Sequence, residues 1–360
     1  MRLTELKLYS YQLRYARPVR WSDIVEEAAP FVLLRLTADT GETGIAEITP
    51  KPTWCGVNAK TLIAAIEDIF APMLMKLDLD DPARVRTALD IVPENHAAKT
   101  LIDNACWDLY AARERRPLWQ IWRGQQRVEL SWAVTRQAPA AMAAEAVQMV
   151  ERYGFRTLKV KGGQGVEIDV AGIREIRTAV GERVRLYVDA NGAYPADQAA
   201  KYARAMADAG VSILEDPCAM APDARFRALR EASTIPILVD FGCTSLRDAG
   251  LFLEQGARAL SIKPGRFGLS HSRAMLALAQ QNGCRPVVGL MGESALGTLS
   301  GLQFAASLAS PILPAELTWY LAMTEQVIKA VPAIADGMLE LPDAPSLASL
   351  VDWDAVAKAH

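Results

Sequence analysis

Apolar and polar positions alternate along the first fifty residues of the chain. The runs LTELKLYSYQL and FVLLRLTADTGETGIAEIT place apolar side chains at every second position, and DTGET within the second run is a turn sequence. Such alternation is typical of strands that bury one face. The pattern therefore predicts a small antiparallel sheet at the start of the chain.

The apolar spacing becomes helical between Asn58 and about Glu114. Apolar residues recur there every three or four positions, in NAKTLIAAIEDIFAPML, PARVRTALDIV and AAKTLIDNACWDLYAARERR. Together with the preceding sheet, these helices predict an α+β domain. We expect this domain to span residues 1–125.

Beyond Pro117, short apolar strands alternate with amphipathic helices. The predicted strands are VELSWAV, TLKVK, VRLYVDA, SILED, IPILVD, ALSIK and RPVVGL, with an eighth short strand near ILPAEL. Successive strands begin about 23 to 28 residues apart, the length of one strand, one helix and two loops in a parallel barrel. We expect an α/β fold, a modified (β/α)7β TIM-type barrel over 126–325 that the α+β domain caps. Residues 326–360 leave this period and are predicted to return to the capping domain.

Composition and charge exclude several classes of partner. The formal net charge is −3 with both signs mixed along the chain, so no basic stripe is available for nucleic acid. No apolar run approaches the length of a membrane span, and the start lacks the apolar core of a signal peptide. The five cysteines are far apart and form no CxxC motif, which favours reduced thiols. We expect a cytoplasmic protein without membrane contact, and its apolar content is compatible with a homo-oligomer.

Five consecutive predicted strands finish with an ionisable residue. In chain order these residues are Lys159 with Lys161, Asp189, Glu215, Asp240 and Lys263. They follow one another at intervals of about 28, 26, 25 and 23 residues, and the residues before them are apolar. Because the carboxyl ends of the strands form the mouth of a β/α barrel, we expect these side chains to meet there.

Three converging carboxylates require a cation. Asp189, Glu215 and Asp240 would repel one another at neighbouring strand ends unless a positive charge lay between them. Oxygen ligands suit Mg²⁺, with Mn²⁺ as an alternative, whereas zinc prefers His and Cys. Each acid alone would be an ordinary helix cap at a βα turn. The three in register, flanked by lysines, predict a metal site.

The lysines lie on both sides of this acidic set. Lys159 and Lys161 are two residues apart on a strand and therefore point to one face. Each cation disfavours the charge of the other, and burial adds to the effect, so we expect a lysine pKa lowered toward neutrality. Lys263 lies on the far side of the acids. A metal-bound substrate carboxylate would then have its α-carbon between two lysines, with the metal stabilising the enediolate.

The motifs LKVKGG, VDANG, LEDP, LVD and SIKPG resemble the muconate-lactonizing (mandelate racemase/muconate cycloisomerase-like) subgroup of the enolase superfamily. Further matches are DTGETGIAE, IDNACWDLYAARERRPLWQIW and GLMGESALGTLSGLQFAAS, so the resemblance covers nearly the whole chain. It implies Asp189, Glu215 and Asp240 as Mg²⁺ ligands, Lys161 and Lys263 as the acid/base pair, and Lys159 as a neighbour that tunes the pKa. Asn191 and Glu293 match polar positions around the same site, and we expect both at the substrate.

Some positions depart from the family patterns. None of the three histidines ends a barrel strand, which favours the lysine subgroup over the mandelate-racemase subgroup. The third ligand is usually followed by Glu, whereas Phe241 follows Asp240. Dipeptide epimerases carry an Asp-x-Asp pair after the eighth strand to hold an ammonium group, and here Glu316 and Thr318 occupy that place. A dipeptide substrate is therefore disfavoured.

Three tryptophans are candidates for the walls of a substrate pocket. Trp319 follows the eighth predicted strand, and Trp21 and Trp54 lie in predicted loops of the capping domain. An aromatic wall accepts a ring, an acyl chain or, through cation–π contact, a quaternary ammonium. The alternative for each tryptophan is ordinary core packing.

The sequence leaves several functions open. A Mg²⁺-dependent isomerase, a racemase or epimerase of an amino-acid derivative, is the leading hypothesis for a small-molecule carboxylate substrate, because lysines on both faces permit proton removal and return. A muconate-type cycloisomerase or a dehydratase (a lyase) would use the same lysines. A Schiff-base aldolase with Lys161 or Lys263 as nucleophile is a different chemical class. A non-catalytic homologue that only binds ligands is the alternative outside enzymology.

Overall fold

One antiparallel sheet is the base of the capping domain. The computed structural model describes residues 1–21 and 24–359. Its first sheet has the order β1 (Leu3–Trp21), β2 (Ile24–Ala38), β3 (Thr43–Ile48), and β2 pairs antiparallel with both neighbours. Gly41, at φ +95°, lies in the turn between β2 and β3. The predicted antiparallel sheet and its DTGET turn are confirmed.

Helices cover one face of this sheet. They are α1 (Pro52–Cys55), α2 (Ala59–Ala65), a π-helical segment (Ile66–Phe70), α3 (Ala71–Leu74), α4 (Pro82–Leu89), α5 (His96–Glu114) and α6 (Leu118–Ile121). Alternate residues of β2, among them Val32 and Leu34, share one buried cluster with Phe70 and Leu101 of the helices. The alternating apolar residues of the sheet and the apolar face of the helices thus pack in a single core. This is the α+β domain that the sequence predicted.

Seven parallel strands form the curled sheet of the second unit. In sheet order they are β5 (Trp132–Val134), β6 (Thr157–Lys161), β7 (Arg185–Asp189), β8 (Leu214–Glu215), β9 (Ile237–Val239), β10 (Ala259–Ile262) and β11 (Arg285–Val288). The first predicted barrel strand is divided, because its start, β4 (Arg127–Glu129), pairs antiparallel with a C-terminal strand instead. The other six predicted strands are confirmed in order and direction.

The segment 312–316 joins the two edges of this sheet. The amide of Ile312 donates to Pro286 and that of Glu316 to Val288 on the β11 side, each at 2.9 Å. On the other side the Ala315 amide donates to Glu129, and the Ala315 carbonyl accepts from Ser131, directly before β5, each at 2.9 Å. The predicted eighth strand is therefore present as a bonded connection but not as a regular strand. Pro311, directly before this segment, and Pro314 within it lack an amide hydrogen, which prevents a continuous ladder.

Helices connect the strands. They are α7 (Pro139–Tyr153), α8 (Val166–Val180), α9 (Ala199–Asp208), α10 (Ala224–Ala232), α11 (Leu246–Glu254), α12 (Pro264–Gln281) and α13 (Ala295–Ala305). A separate buried cluster takes one residue from several strands, including Tyr187, Leu238, Ala259 and Val287, together with Ile312. These side chains are a packed apolar layer of the kind that fills the interior of such barrels.

The C-terminal segment contacts both units. After a 3-10 turn (Trp319–Ala322) it forms β12 (Ile334–Ala335), β13 (Met338–Glu340), a second 3-10 turn (Leu347–Leu350) and α14 (Trp353–Ala359). β13 pairs with β4, and the amide of Leu347 donates to Asp108 of the capping helix α5 at 2.8 Å. The exact domain limits at 125 and 325 stay a prediction. Among the described residues, every helix is too short or too polar to cross a bilayer.

Candidate active site at the mouth of the barrel

The sheet brings the predicted charged residues to one edge. Lys161 is in register with Asp189, and Asp189 is in register with Glu215, on neighbouring parallel strands. Asp240 and Lys263 are the residues directly after β9 and β10. The three acids are buried, with at most 4% of their surface exposed. Parallel strands end at a common edge, so regular sequence spacing here becomes spatial contact.

The lysines make direct contacts with the acids. Lys159 Nζ lies 2.8 Å from Glu215 Oε1 and 3.2 Å from Asp189 Oδ2. Lys161 Nζ lies 2.6 Å from Asp189 Oδ2. Lys263 Nζ lies 2.5 Å from Asp240 Oδ2. Lys161 and Lys263 therefore occupy opposite ends of the acidic row, as the strand order predicted.

The burial of these charges changes their pKa values. Burial and the charge of Asp189 raise the pKa of Glu215 well above its usual range. Burial opposes ionisation of Asp240 too, but Lys263 and Arg266 lower the pKa of that carboxyl to about 2. Burial alone would lower the pKa of Lys159, whereas Glu215, Glu316 and Asp189 raise it well above its usual range. Lys159 is therefore not the lysine of this pair whose pKa is lowered, because three carboxylates outweigh one neighbouring cation.

Two carboxylate oxygens in this cluster are suited to a cation. Glu215 Oε2 and Asp240 Oδ1 are buried and have no hydrogen-bond partner among the described residues. A buried carboxyl oxygen without a hydrogen-bond partner is costly in a protein interior, and carboxylate oxygens are the ligands that Mg²⁺ or Mn²⁺ takes. The residues present therefore fit the predicted divalent ion.

The third acid of the cluster can be chosen in two ways. By proximity, Glu215, Asp216 and Asp240 offer oxygens within 4.8 Å of one another. Asp216, however, already accepts the backbone amides of Asp240 at 3.2 Å and Phe241 at 2.6 Å, and so fixes the chain that carries Asp240. Asp189 is in register with Glu215 on the neighbouring strand and so belongs to the same row of strand-end acids. We therefore keep Asp189 in the proposed ligand set and regard Asp216 as the residue that orients Asp240.

Glu316 completes the surroundings of Lys159. Both of its carboxylate oxygens lie 3.1 Å from Lys159 Nζ, and Tyr187 Oη donates to Oε1 at 2.7 Å. Glu316 is 2% exposed and therefore lies inside the barrel. Thr318 is also buried, and its hydroxyl donates to the Ser131 carbonyl at 2.8 Å. In the sequence these two positions stand out only because they lack the Asp-x-Asp pair that holds an ammonium group. In the structure both side chains bond to buried residues of the protein itself.

Asn191 contacts the site residues themselves. Its side-chain oxygen accepts from Lys161 Nζ at 3.2 Å, and its amide groups donate to both oxygens of Asp189, at 2.8 and 3.1 Å. The backbone here has φ +49°, which asparagine tolerates better than most residues. Asn191 thus holds Asp189 and Lys161 in place, and its contact with substrate stays a prediction.

The predicted wall residues meet near Gly292. A β-carbon placed on this glycine would lie 3.6 Å from Trp54, 3.8 Å from Trp319 and 3.9 Å from Lys51 Nζ. Trp319 is 3% exposed and stacks on Trp132 with ring centroids 5.8 Å apart. Trp54 is half-buried, and Lys51 Nζ lies 4.8 Å from its ring centroid. Lys51 was not predicted, because an isolated lysine in PKPTWC gives no sequence signal.

Two further predicted residues have different outcomes. Glu293 is buried beside Gly292, and its carboxylate accepts the Met291 amide at 2.8 and 2.9 Å. The side chain of Trp21 lies outside the described residues. Phe241, at the position where Glu was expected, is 58% exposed and 5.9 Å from the Arg266 guanidinium. The aromatic ring therefore contributes no ligand next to Asp240.

Both halves of the chain match known families. Residues 4–122 match the mandelate racemase / muconate lactonizing enzyme N-terminal domain, and residues 141–355 match the enolase C-terminal domain-like family. The L-Ala-D/L-Glu epimerase of Bacillus subtilis (strain 168) is 31% identical over 286 residues, 78% of either chain. Muconate cycloisomerase 1-2 of Acinetobacter lwoffii is 27% identical over 94% of this chain and 90% of its own.

A solved structure extends the likeness to the whole fold. The muconate lactonizing enzyme from Mucobacterium smegmatis, complexed with muconolactone, superposes with a TM-score of 0.94 at 29% identity, covering 100% of this chain and 99% of that one. Epimerases and cycloisomerases are both isomerases. The predicted family resemblance, the barrel with its cap and the assignment as an enzyme are confirmed.

Proposed function

This chain belongs to the mandelate racemase / muconate lactonizing enzyme family, and we propose that it isomerises a small-molecule carboxylate by moving the proton on its α-carbon. The observation that carries this proposal is the position of two lysines at opposite ends of one buried carboxylate row. Lys161 lies against Asp189 at 2.6 Å and Lys263 against Asp240 at 2.5 Å. A substrate held between them presents one face of its α-carbon to each lysine.

A divalent cation belongs to this proposal. Asp189, Glu215 and Asp240 would hold Mg²⁺, and the two buried oxygens on Glu215 and Asp240 that lack a hydrogen-bond partner among the described residues support that assignment. When bound, the ion would stabilise the negative charge that builds on the substrate carboxylate as the α-proton leaves.

The protein groups carry the proton itself. In a racemase, one of Lys161 and Lys263 enters as the free amine and removes the α-proton, and the other enters as the ammonium and returns a proton to the opposite face. Lys159 is surrounded by Glu215, Asp189 and Glu316 and stays an ammonium. Its fixed charge stabilises the acidic row between turnovers.

We propose a racemase or epimerase of an amino-acid derivative without a free ammonium group. Two observations support this substrate class. Glu316 bonds to Lys159 and Tyr187, and Thr318 bonds to Ser131, so neither is available to hold an ammonium. Lys51, close to Trp54 at the wall, places a cation where a quaternary ammonium ligand would need an empty aromatic face.

Muconate-type cycloisomerisation is the second candidate. It is supported by the similarity to muconate cycloisomerase 1-2 along 94% of this chain. It needs proton transfer on one face only, so it would require just one of the two lysines as acid or base. A dehydratase would use the same groups. The two candidates therefore differ in whether both Lys161 and Lys263 are essential.

A deuterium-incorporation screen tests the proposal. The enzyme with Mg²⁺ is incubated in D₂O with N-acylamino acids, proline derivatives and betaines, dipeptides, succinylbenzoate precursors and muconates, and α-deuterium is measured by NMR. We expect exchange with N-acylamino acids, its loss in EDTA and its return with added Mg²⁺. The Lys161→Ala/Lys263→Ala double variant is the matched inactive control. Absence of exchange with every class, or covalent trapping of substrate on a lysine by borohydride, would contradict the proposal.

A further inference from the structure

The chain that follows Lys263 is held by the capping domain. α12 begins directly after Lys263 and is interrupted at Gly268, where φ is +79° and ψ is 163°. A short helical turn, 264–267, therefore lies between Lys263 and the main part of α12. Helix α5 of the capping domain packs against this interrupted segment.

Side chains of α5 bond to both ends of the interruption. Asn104 donates to the Pro264 carbonyl at 3.1 Å and accepts the Leu269 amide at 2.8 Å, so one side chain bridges the whole turn. Thr100 donates to the Arg266 carbonyl at 2.7 Å. Both residues are almost completely buried, at 3% and 0% exposure.

Asp103, also on α5, bonds to the chain on the C-terminal side of the interruption. It accepts the Ser270 amide at 2.8 Å and the Ser270 hydroxyl at 2.5 Å, at the point where α12 resumes. A β-carbon on Gly268 would lie 2.4 Å from Asp103 Oδ2, so only glycine leaves room for this contact. Several backbone groups around the interruption are therefore satisfied by another domain, whereas the amides of Arg266 and Phe267 donate to the Lys263 carbonyl within the turn, at 2.8 and 2.9 Å.

Lys161 has a different kind of support. Its ammonium contacts Asp189 and Asn191, which lie on the barrel itself. The carbonyl of the next residue, Gly162, accepts from Arg136, which also belongs to the barrel. In the part of the chain that the structure describes, the two proposed acid/base residues thus differ, because α5 bonds to the turn after Lys263 but not to the chain around Lys161. Arg266 in that turn also donates to the barrel carbonyls of Asp240 and Cys243, at 3.3 Å each.

We propose that Asn104 and Thr100 are positioning residues that set Lys263, but not Lys161, against the substrate. This inference rests on the proposed function, since it concerns the two faces of the α-carbon. Loss of the Asn104 bridge frees the Pro264 carbonyl next to Lys263 and lets the turn shift. A displacement of about 1 Å at a reacting group lowers rates on the order of 100-fold.

Enantiomer-resolved exchange is the first test. With each enantiomer of an N-acylamino acid in D₂O, Asn104→Ala should lower the Lys263-dependent exchange about 10- to 100-fold and the Lys161-dependent exchange less than about threefold. Thr100→Val, which keeps the side-chain shape, should act in the same direction with a smaller loss. Asn282→Ala is the matched control, because Asn282 is exposed at the far end of α12, where its side chain donates to the Leu278 carbonyl at 2.9 Å. Equal losses for both enantiomers, or no loss, would overturn the proposal.

Crystal structures of the two single variants, Thr100→Val and Asn104→Ala, are the second test and need no substrate. The contact of Lys263 Nζ with Asp240 should lengthen while that of Lys161 Nζ with Asp189 is retained. An unchanged Lys263 position in both variants would overturn the inference even if the variants have lost activity. If the wild-type enzyme exchanges neither enantiomer, the proposed function fails, and the Lys263 position in the variant structures still decides whether Asn104 and Thr100 position Lys263.

Discussion

Replacing Lys159 by Met removes the positive charge at the centre of the acidic row. Lys159 Nζ lies within 3.2 Å of Asp189, Glu215 and Glu316, and all four side chains are at most 3% exposed. Met has a similar length and adds no polar group. The variant therefore keeps the packing but leaves three buried carboxylates close together.

The size of the effect follows from this burial. Removing one partner of a buried ion pair costs roughly 3–5 kcal/mol of unfolding free energy, because the remaining charge stays uncompensated. At about 2–4 °C per kcal/mol, the conversion for chains of roughly 150–250 residues, the unfolding temperature should fall by up to about 6–20 °C in EDTA. Mg²⁺ should restore more stability to the variant than to the wild type, since the ion replaces the missing charge. Mg²⁺ at about 100 times the wild-type Kd raises the free energy of unfolding of the wild type by roughly 2.7 kcal/mol. The gain of the variant at the same Mg²⁺ concentration should be larger.

Thermal unfolding with EDTA and with Mg²⁺ measures both effects. Lys201→Met is the matched control, because Lys201 is exposed on α9 and its replacement should leave the midpoint within about 1 °C. The reasoning is refuted if Lys159→Met unfolds with the wild type in EDTA, or if Mg²⁺ raises both midpoints equally.

Three further predictions concern the surroundings of the site. Burial raises the pKa of the Asp108 carboxyl to about 6, so the contribution of this group to the free energy of unfolding is present below about pH 4 and is lost as the pH rises through 6. The urea midpoint of Asp108→Asn should therefore rise relative to that of the wild type from pH 4.5 to 7.5, and a constant difference between the two would contradict this. Gly268→Ala should lower the free energy of unfolding by at least about 2 kcal/mol more than Gly210→Ala. Gly210 has a similar φ of +82°, but a β-carbon there would have nothing within 4 Å, so equal urea midpoints of the two variants would show that the contact with Asp103 does not destabilise Gly268→Ala. Trp54→Ala should change the ratio of kcat/KM between two good substrates with little effect on stability, and an unchanged ratio would make Trp54 a packing residue.

The charged row could be predicted because it depends on a regular feature. Each strand and helix of the barrel repeats at nearly constant length, so residues at equal spacing reach the same edge. Asp189 and Glu215 are therefore in register in the structure. Lys159 and Lys161 both reach Asp189, since alternate residues of a strand share a face.

The residues that the sequence did not predict depend on irregular chain. Glu316 reaches Lys159 across 157 residues, from a segment that two prolines prevent from becoming a regular strand. Asp216 turns back to the Asp240 amide through a backbone with φ +39°, which no periodicity indicates. The support of Lys263 by Asn104 comes from the packing of two domains. Such packing leaves no pattern in either segment alone.

Exchange of the α-proton by single-lysine variants tests the central claim most directly. Each enantiomer of an accepted N-acylamino acid is incubated in D₂O with Mg²⁺ and Lys161→Ala or Lys263→Ala, and deuterium incorporation is followed by NMR. The two-lysine account predicts that each variant loses exchange from one enantiomer, opposite in the two variants, and that both lose inversion. Retention of full racemisation by Lys263→Ala would contradict it and leave Lys161 as the single base of a one-face reaction.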